Sequence, residues 1–145
     1  MAKKKKKAKP QAEGVDVEST EQPDLWQQAH RQAMTVPLNE LAGSLQEILS
    51  RRMTTQIAGV KDGKTITRWA SGEITEIRDL AVEQRLRTAY EIAQLLLITE
   101  PPQTVKAWFL GLNPFLTDIS PIEALNAGQL RETIGAARAF GEGVR

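Results

Sequence analysis

The sequence predicts an all-α fold: a helix-turn-helix bundle followed by a small C-terminal helical domain, behind a disordered N-terminal tail. Three observations predict it. Apolar residues recur at helical spacing, as in Leu38, Leu41, Leu45, Ile48 and Leu49. Helix starts and stops are spelled out between such segments by Val36-Pro37, Gly72, Pro101-Pro102 and Ser120-Pro121-Ile122-Glu123. No stretch alternates apolar and polar residues between hairpin turns, so strands are not expected.

Residues 1–22 come first. Six lysines, Lys3 to Lys7 and Lys9, precede an acidic and nearly apolar-free block that includes Glu13, Asp16 and Glu18. Such a segment cannot bury enough apolar surface to order itself. The lysines suit a DNA-binding arm acting by counterion release, and equally a solubilising tail neutralised by its own acidic neighbour. Both readings stand at this point.

Asp24 to Met34 then reads as a helix, with Asp24 as its cap and Leu25, Ala29 and Ala33 on one face. A second amphipathic helix follows from Leu38. Met53 to Gly59 is a short polar segment with Ile57 and Val60 as its apolar contacts, Lys61-Asp62-Gly63 a turn, and Lys64 to Ser71 a helix ended by Gly72. The longest helix is expected over Ile77 to Ile98. Leu80, Leu86, Tyr90, Ala93, Leu96 and Leu97 form its apolar stripe, and Arg78, Asp79, Glu83, Arg85 and Arg87 its polar face. Thr104 to Leu110, Pro121 to Ala127 and Gln129 to Phe140 complete the set. The domains expected are 1–22 (tail), 23–74 (helix-turn-helix) and 75–145 (C-terminal).

Composition bounds the function. At 145 residues the chain holds one domain or two small packed helical units. It has no cysteine and a single histidine, His30. That removes disulfides and thiolate metal sites, and it leaves His-assisted nucleophilic catalysis without support. No catalytic residue, metal or cofactor is expected: Glu123 has a capping role, and nothing positions a second acid or base with it. No apolar run approaches the roughly 20 residues of a membrane span, and the basic start lacks a following apolar region. A cytoplasmic, non-membrane protein that is not an enzyme is expected.

Charge is more informative in its distribution than in its sum of +1. Arg51, Arg52, Lys61, Lys64 and Arg68 are opposed only by Asp62 over that stretch. Met53 to Trp69, which holds Lys61, Lys64 and Arg68 and directly follows Arg51 and Arg52, has the outline of a helix-turn-helix packed by Ile66 and Trp69. Burial of those two leaves Lys64, Thr65, Thr67 and Arg68 outward. These side chains bond phosphates and base edges, with arginine the best donor to guanine. The DNA-binding candidates are therefore Arg51, Arg52, Lys61, Lys64, Thr65, Thr67 and Arg68. A basic helical hairpin whose charge is merely solvated is the other reading. A dimer is expected, because paired half-sites are read by paired helices.

Trp108 to Leu125 combines a tryptophan-anchored helix end, an Asn113-Pro114 turn and a capped helix start, with Ser120 as cap, Pro121 at the first position and Glu123 at capping-box distance. In Trp108, Asn113, Pro114, Leu116, Pro121, Glu123, Leu125 and Gly128, followed by an alanine-rich helix with Ile134 and Ala137, the chain resembles the Xre/MbcA/ParS-type antitoxins. The resemblance runs from about Leu41 onward and is nearest to actinobacterial stand-alone members. It implies a protein that represses its own operon and neutralises a cognate toxin, of the RES type, with its C-terminal helix and tail. Carried over to this chain, that element is Gln129 to Arg145. Arg131, Arg138 and Arg145 are its anion- or rim-binding candidates, and Phe140 is counted with them. Where the family pattern has a glycine-containing element before the proline, this chain has Thr117-Asp118-Ile119-Ser120. Trp108, Leu116 and Leu125 are expected to be core residues, and the corner to aim the last helix outward. A stand-alone interaction protein or regulator without a toxin is the alternative.

Overall fold

The computed structural model describes residues 21–143. The expected tail up to residue 20, and Arg145, lie outside the described residues. The chain divides into two compact units, Met1–Arg31 and Gln32–Arg145. Among the described residues the regular structure is helical: α1 Glu21–Thr35, α2 Leu38–Ile48, α3 Arg51–Ala58, α4 Gly63–Ser71, α5 Leu80–Leu97, α6 Pro102–Leu110, α7 Pro121–Asn126 and α8 Leu130–Gly141, with a 3₁₀ turn at Pro114–Leu116. The strand-like pairing found there is one isolated antiparallel bridge, Asn113 to Ile119.

Side-chain caps set the starts of α3, α4, α5 and α7. α3 starts two residues earlier than periodicity suggests because the Ser50 hydroxyl accepts from Met53 N at 3.1 Å. α5 starts at Leu80 rather than Ile77 because the Asp79 carboxylate accepts from Ala81 N and Val82 N. Arg78 and Asp79 are thus outside the helix whose polar face they were expected to join, and Leu80 is 65% exposed rather than part of the stripe. α1 begins at Glu21, so Asp24 falls within it instead of capping it. α7 carries the expected capping box in full: Glu123 N donates to Ser120 Oγ at 3.1 Å and Ser120 N to Glu123 Oε1 at 3.0 Å.

Within Gln32–Arg145, α2 lies against α4, α3 and α5, while α3 also meets α7 and α5 meets α8. One apolar cluster runs through these interfaces. Leu41, Leu45, Ile57 and Ile66 share it with Leu86, Ile92, Phe109, Ile122 and Leu125. The loop after residue 74 joins helices that share this cluster. Trp108 is buried, with Phe109 edge-on at 5.2 Å. No helix among the described residues is long and apolar enough to cross a membrane.

Candidate nucleic-acid interface and partner surface

The helix-turn-helix outline is built by α3, the turn at residues 59–62, and α4. The Asp62 carboxylate caps α4 by accepting from Lys64 N at 2.9 Å, and Gly72 closes its far end with a positive φ of 84°. Ile66 and Trp69 are buried, which sends the i, i+3, i+4, i+7 row Lys64, Thr67, Arg68 and Ser71 to the surface. Thr65 departs from expectation. It is half-buried at the flank of the helix, a position forced by its neighbour Ile66 pointing into the core.

Arg51 and Arg52 open α3, and both are exposed, as is Lys61 in the turn. Arg51 Nη1 donates to Thr67 Oγ1 at 3.2 Å. Its side chain crosses Gly63, where an added Cβ would lie 3.0 Å from Arg51 Nε. The first turn of α3 and the middle of α4 are in this way parts of one surface. Arg68 leans toward Glu73, Nε to Oε2 at 3.9 Å, with both side chains more than half exposed. Such a pair is worth little, so the guanidinium keeps most of its capacity for an anion.

The turn itself is held from a distance, by residues that spacing alone does not single out. Arg85 of α5 donates through Nε to Ile57 O at 3.1 Å and through Nη2 to Ala58 O at 2.6 Å. Asn126, the last residue of α7, donates through Nδ2 to Gln56 O at 2.8 Å. Arg87 does the same for α1, reaching Ala33 O at 3.0 Å and Val36 O at 2.8 Å while paired with Glu83. Arg85 and Arg87 were expected on a polar face. They are half-buried instead, each closing the end of another helix.

The C-terminal surface differs from expectation in two respects, the packing of α8 and the place of Phe140. Gly128, at φ 85°, reverses the chain, with Gln129 N donating back to Ala124 O, and α8 packs onto α5, α7 and the 3₁₀ turn. Thr133, Ala136 and Ala137 are buried, so this helix is not an outward-aimed tail. Arg131 and Arg138 are exposed on it. Phe140 is half-buried, its ring 6.3 Å from that of Trp108, and so serves packing.

The corner before α7 is braced by Asn113, whose side chain accepts from Phe115 N at 2.9 Å and whose carbonyl accepts from Leu116 N and Asp118 N. Thr117 and Asp118 take left-handed backbone angles, φ 60° and 62°. Both residues thus hold a backbone that glycine adopts more readily than a side-chain-bearing residue. Leu110, Leu112 and Phe115 stand 54%, 73% and 51% exposed, an apolar trio around the corner. Among the described residues no group of three or more His, Cys, Asp or Glu could hold a metal ion. Compared with protein-family models, characterised proteins and solved structures, the chain gives no match to any of the three.

Proposed function

We propose that this chain is a DNA-binding regulator of the Xre/MbcA/ParS antitoxin type, which represses its own promoter through α3 and α4 and neutralises a cognate RES-type toxin through its C-terminal helices. One observation carries the DNA reading: Arg51, Lys64, Thr67 and Arg68 share a continuous exposed surface on a helix-turn-helix scaffold. A recognition helix reads base edges while the preceding helix meets the phosphate backbone, and this pairing of Lys64, Thr67 and Arg68 with Arg51 and Arg52 fits both tasks. The protein acts as a homodimer on paired half-sites.

The toxin reading is supported by the residues of the Trp108–Leu125 stretch and by Arg131 and Arg138. With α8 packed, a partner meets its outer face rather than a free tail. A second reading, an interaction protein whose helix-turn-helix is only scaffold, is favoured by the exposed apolar corner at Leu110, Leu112 and Phe115.

An electrophoretic shift separates the two. The full chain should retard a duplex carrying its own promoter at low salt, with competition by unlabelled promoter and not by a scrambled duplex. Absence of any shift at low salt sinks the regulator and leaves the interaction protein. For the toxin arm, co-expression should relieve growth arrest caused by the product of the adjacent gene, and the double charge reversal Arg131→Glu, Arg138→Glu should abolish relief. Growth arrest that the wild-type chain leaves unchanged counts against the antitoxin.

A further inference from the structure

Any α-helix leaves its last four carbonyls without intrahelical partners. α4 closes its own end locally: Gly72 N donates to Trp69 O and Ile74 N to Arg68 O. α3 does not. Gly59 N closes only Thr55 O, at 3.0 Å. The remaining three, Gln56, Ile57 and Ala58, are taken by Asn126 and Arg85. Gly59 is where these groups converge. Its φ is 77°, and a Cβ there would meet Arg85 Nη2 at 3.0 Å and Asn126 Nδ2 at 3.4 Å. The end of α3 and the entry to the turn are therefore held by side chains 27 to 70 residues away in sequence.

We propose that Arg85 and Asn126 are positioning residues for DNA reading: by clamping the last three carbonyls of α3 they fix the turn that sets α4 against α3. The inference rests on the reading of α4 as the DNA-reading helix. Neither residue itself touches DNA. Their loss leaves the phosphate-binding side chains in place and spreads the angles at which α4 presents Lys64, Thr67 and Arg68. Phosphate binding tolerates such spread, because a point charge attracts over a range of directions, whereas hydrogen bonds to base edges do not. The clamp therefore governs discrimination between sequences more than overall affinity.

The test uses the full chain and fluorescence anisotropy with two duplexes of equal length, one carrying its own promoter and one scrambled. Asn126→Asp keeps the shape of an exposed side chain but removes its donor. Arg85→Met removes the donors from α5, and Arg85→Lys restores a single one. Asn126→Asp and Arg85→Met should each weaken promoter binding about ten-fold while leaving the scrambled duplex unchanged, and Arg85→Lys should recover part of the loss. Amide hydrogen exchange at residues 59–62 should quicken in the same variants. If Arg85→Met does not fold, Asn126→Asp carries the test alone. A wild-type chain that discriminates, with Asn126→Asp discriminating equally well, overturns this inference and leaves the regulator standing, whether or not exchange changes. A wild-type chain that does not discriminate overturns the regulator reading and this inference with it.

Discussion

Arg51 and Thr67 are joined by a hydrogen bond of 3.2 Å between the guanidinium Nη1 and the threonine hydroxyl. The bond links the first turn of α3 to the exposed row of α4. The same hydroxyl is 3.4 Å from Gly63 O, toward which it donates, so the arginine, the threonine and the start of α4 form one small network. Positive charge at the start of α3 and hydrogen-bonding side chains on α4 are consequently presented together.

Arg87 should be the most costly arginine to lose from the helical body. It is 15% exposed and donates to Ala33 O and Val36 O, and Arg87→Met leaves both carbonyls without that donor. The expected cost is about 2–4 kcal/mol in urea unfolding. Glu83→Gln, which removes only the ion-pair partner, should cost less than about 1 kcal/mol. Equal losses in the two variants would contradict this assignment.

The helices are largely legible in the sequence because their periodicity is local, and so are the caps at Ser120 and Gly72. The caps at Ser50, Asp62 and Asp79 do not show in the apolar spacing. Ser120, Pro121 and Glu123 specify their own geometry within four residues, and Gly72 ends α4 without help from elsewhere. Burial of Ile66 and Trp69 follows from spacing alone. What escapes is long-range. Nothing around Arg85 or Arg87 signals that each reaches carbonyls 27 or more residues away, since an arginine on a charged helix looks like a solvated one. The direction of α8 is equally hidden, because the reversal at Gly128 depends on what α5 and α7 offer Thr133, Ala136 and Ala137 to pack against. Thr65 differs from expectation for a simpler reason: it borders Ile66, and the outward arc of a short helix is narrow.

Ser50 caps α3 at a backbone cost. Its angles, φ 128° and ψ 160°, lie in a region held almost entirely by glycine, worth about 1–3 kcal/mol of strain. Glycine is nearly as good an N-cap as serine, within a few tenths of a kcal/mol, and its added chain entropy offsets only about 0.5–1 kcal/mol. Ser50→Gly should therefore stabilise the protein by about 1 kcal/mol and raise its melting temperature by about 4 °C in a calorimetric scan. A lower melting temperature would mean that the hydroxyl cap outweighs the strain.

The capping box at α7 offers the converse case. Ser120→Ala deletes the acceptor for Glu123 N and should cost about 1 kcal/mol. Glu123→Gln keeps an acceptor for Ser120 N and should cost clearly less. Denaturant midpoints for the two variants decide it; an unaffected Ser120→Ala would show that α7 is held by burial of Ile122 and Leu125 alone.

Tyr90 makes stability sensitive to alkaline pH. Burial, and secondly the charge of Glu40, push its phenol above the ordinary value near 10. The unfolded chain then gives up this proton first as pH rises. The stabilising contribution is whole below about pH 10 and is lost as pH climbs through the folded-state value. Tyr90→Phe should flatten that loss above about pH 10, seen as a smaller fall in the urea midpoint. Parallel falls in both proteins would assign the alkaline sensitivity to other groups.

Salt-dependent binding to the chain's own promoter decides whether α4 and the start of α3 bind DNA. Log affinity should fall linearly with log salt, and the slope should shrink by about 0.9 for each phosphate that the protein no longer neutralises. In the double variant Lys64→Ala, Arg68→Ala we expect affinity to fall at least about ten-fold with a shallower slope and an unchanged melting temperature. Wild-type and double-variant titrations that superimpose at every salt concentration would contradict DNA binding through these helices.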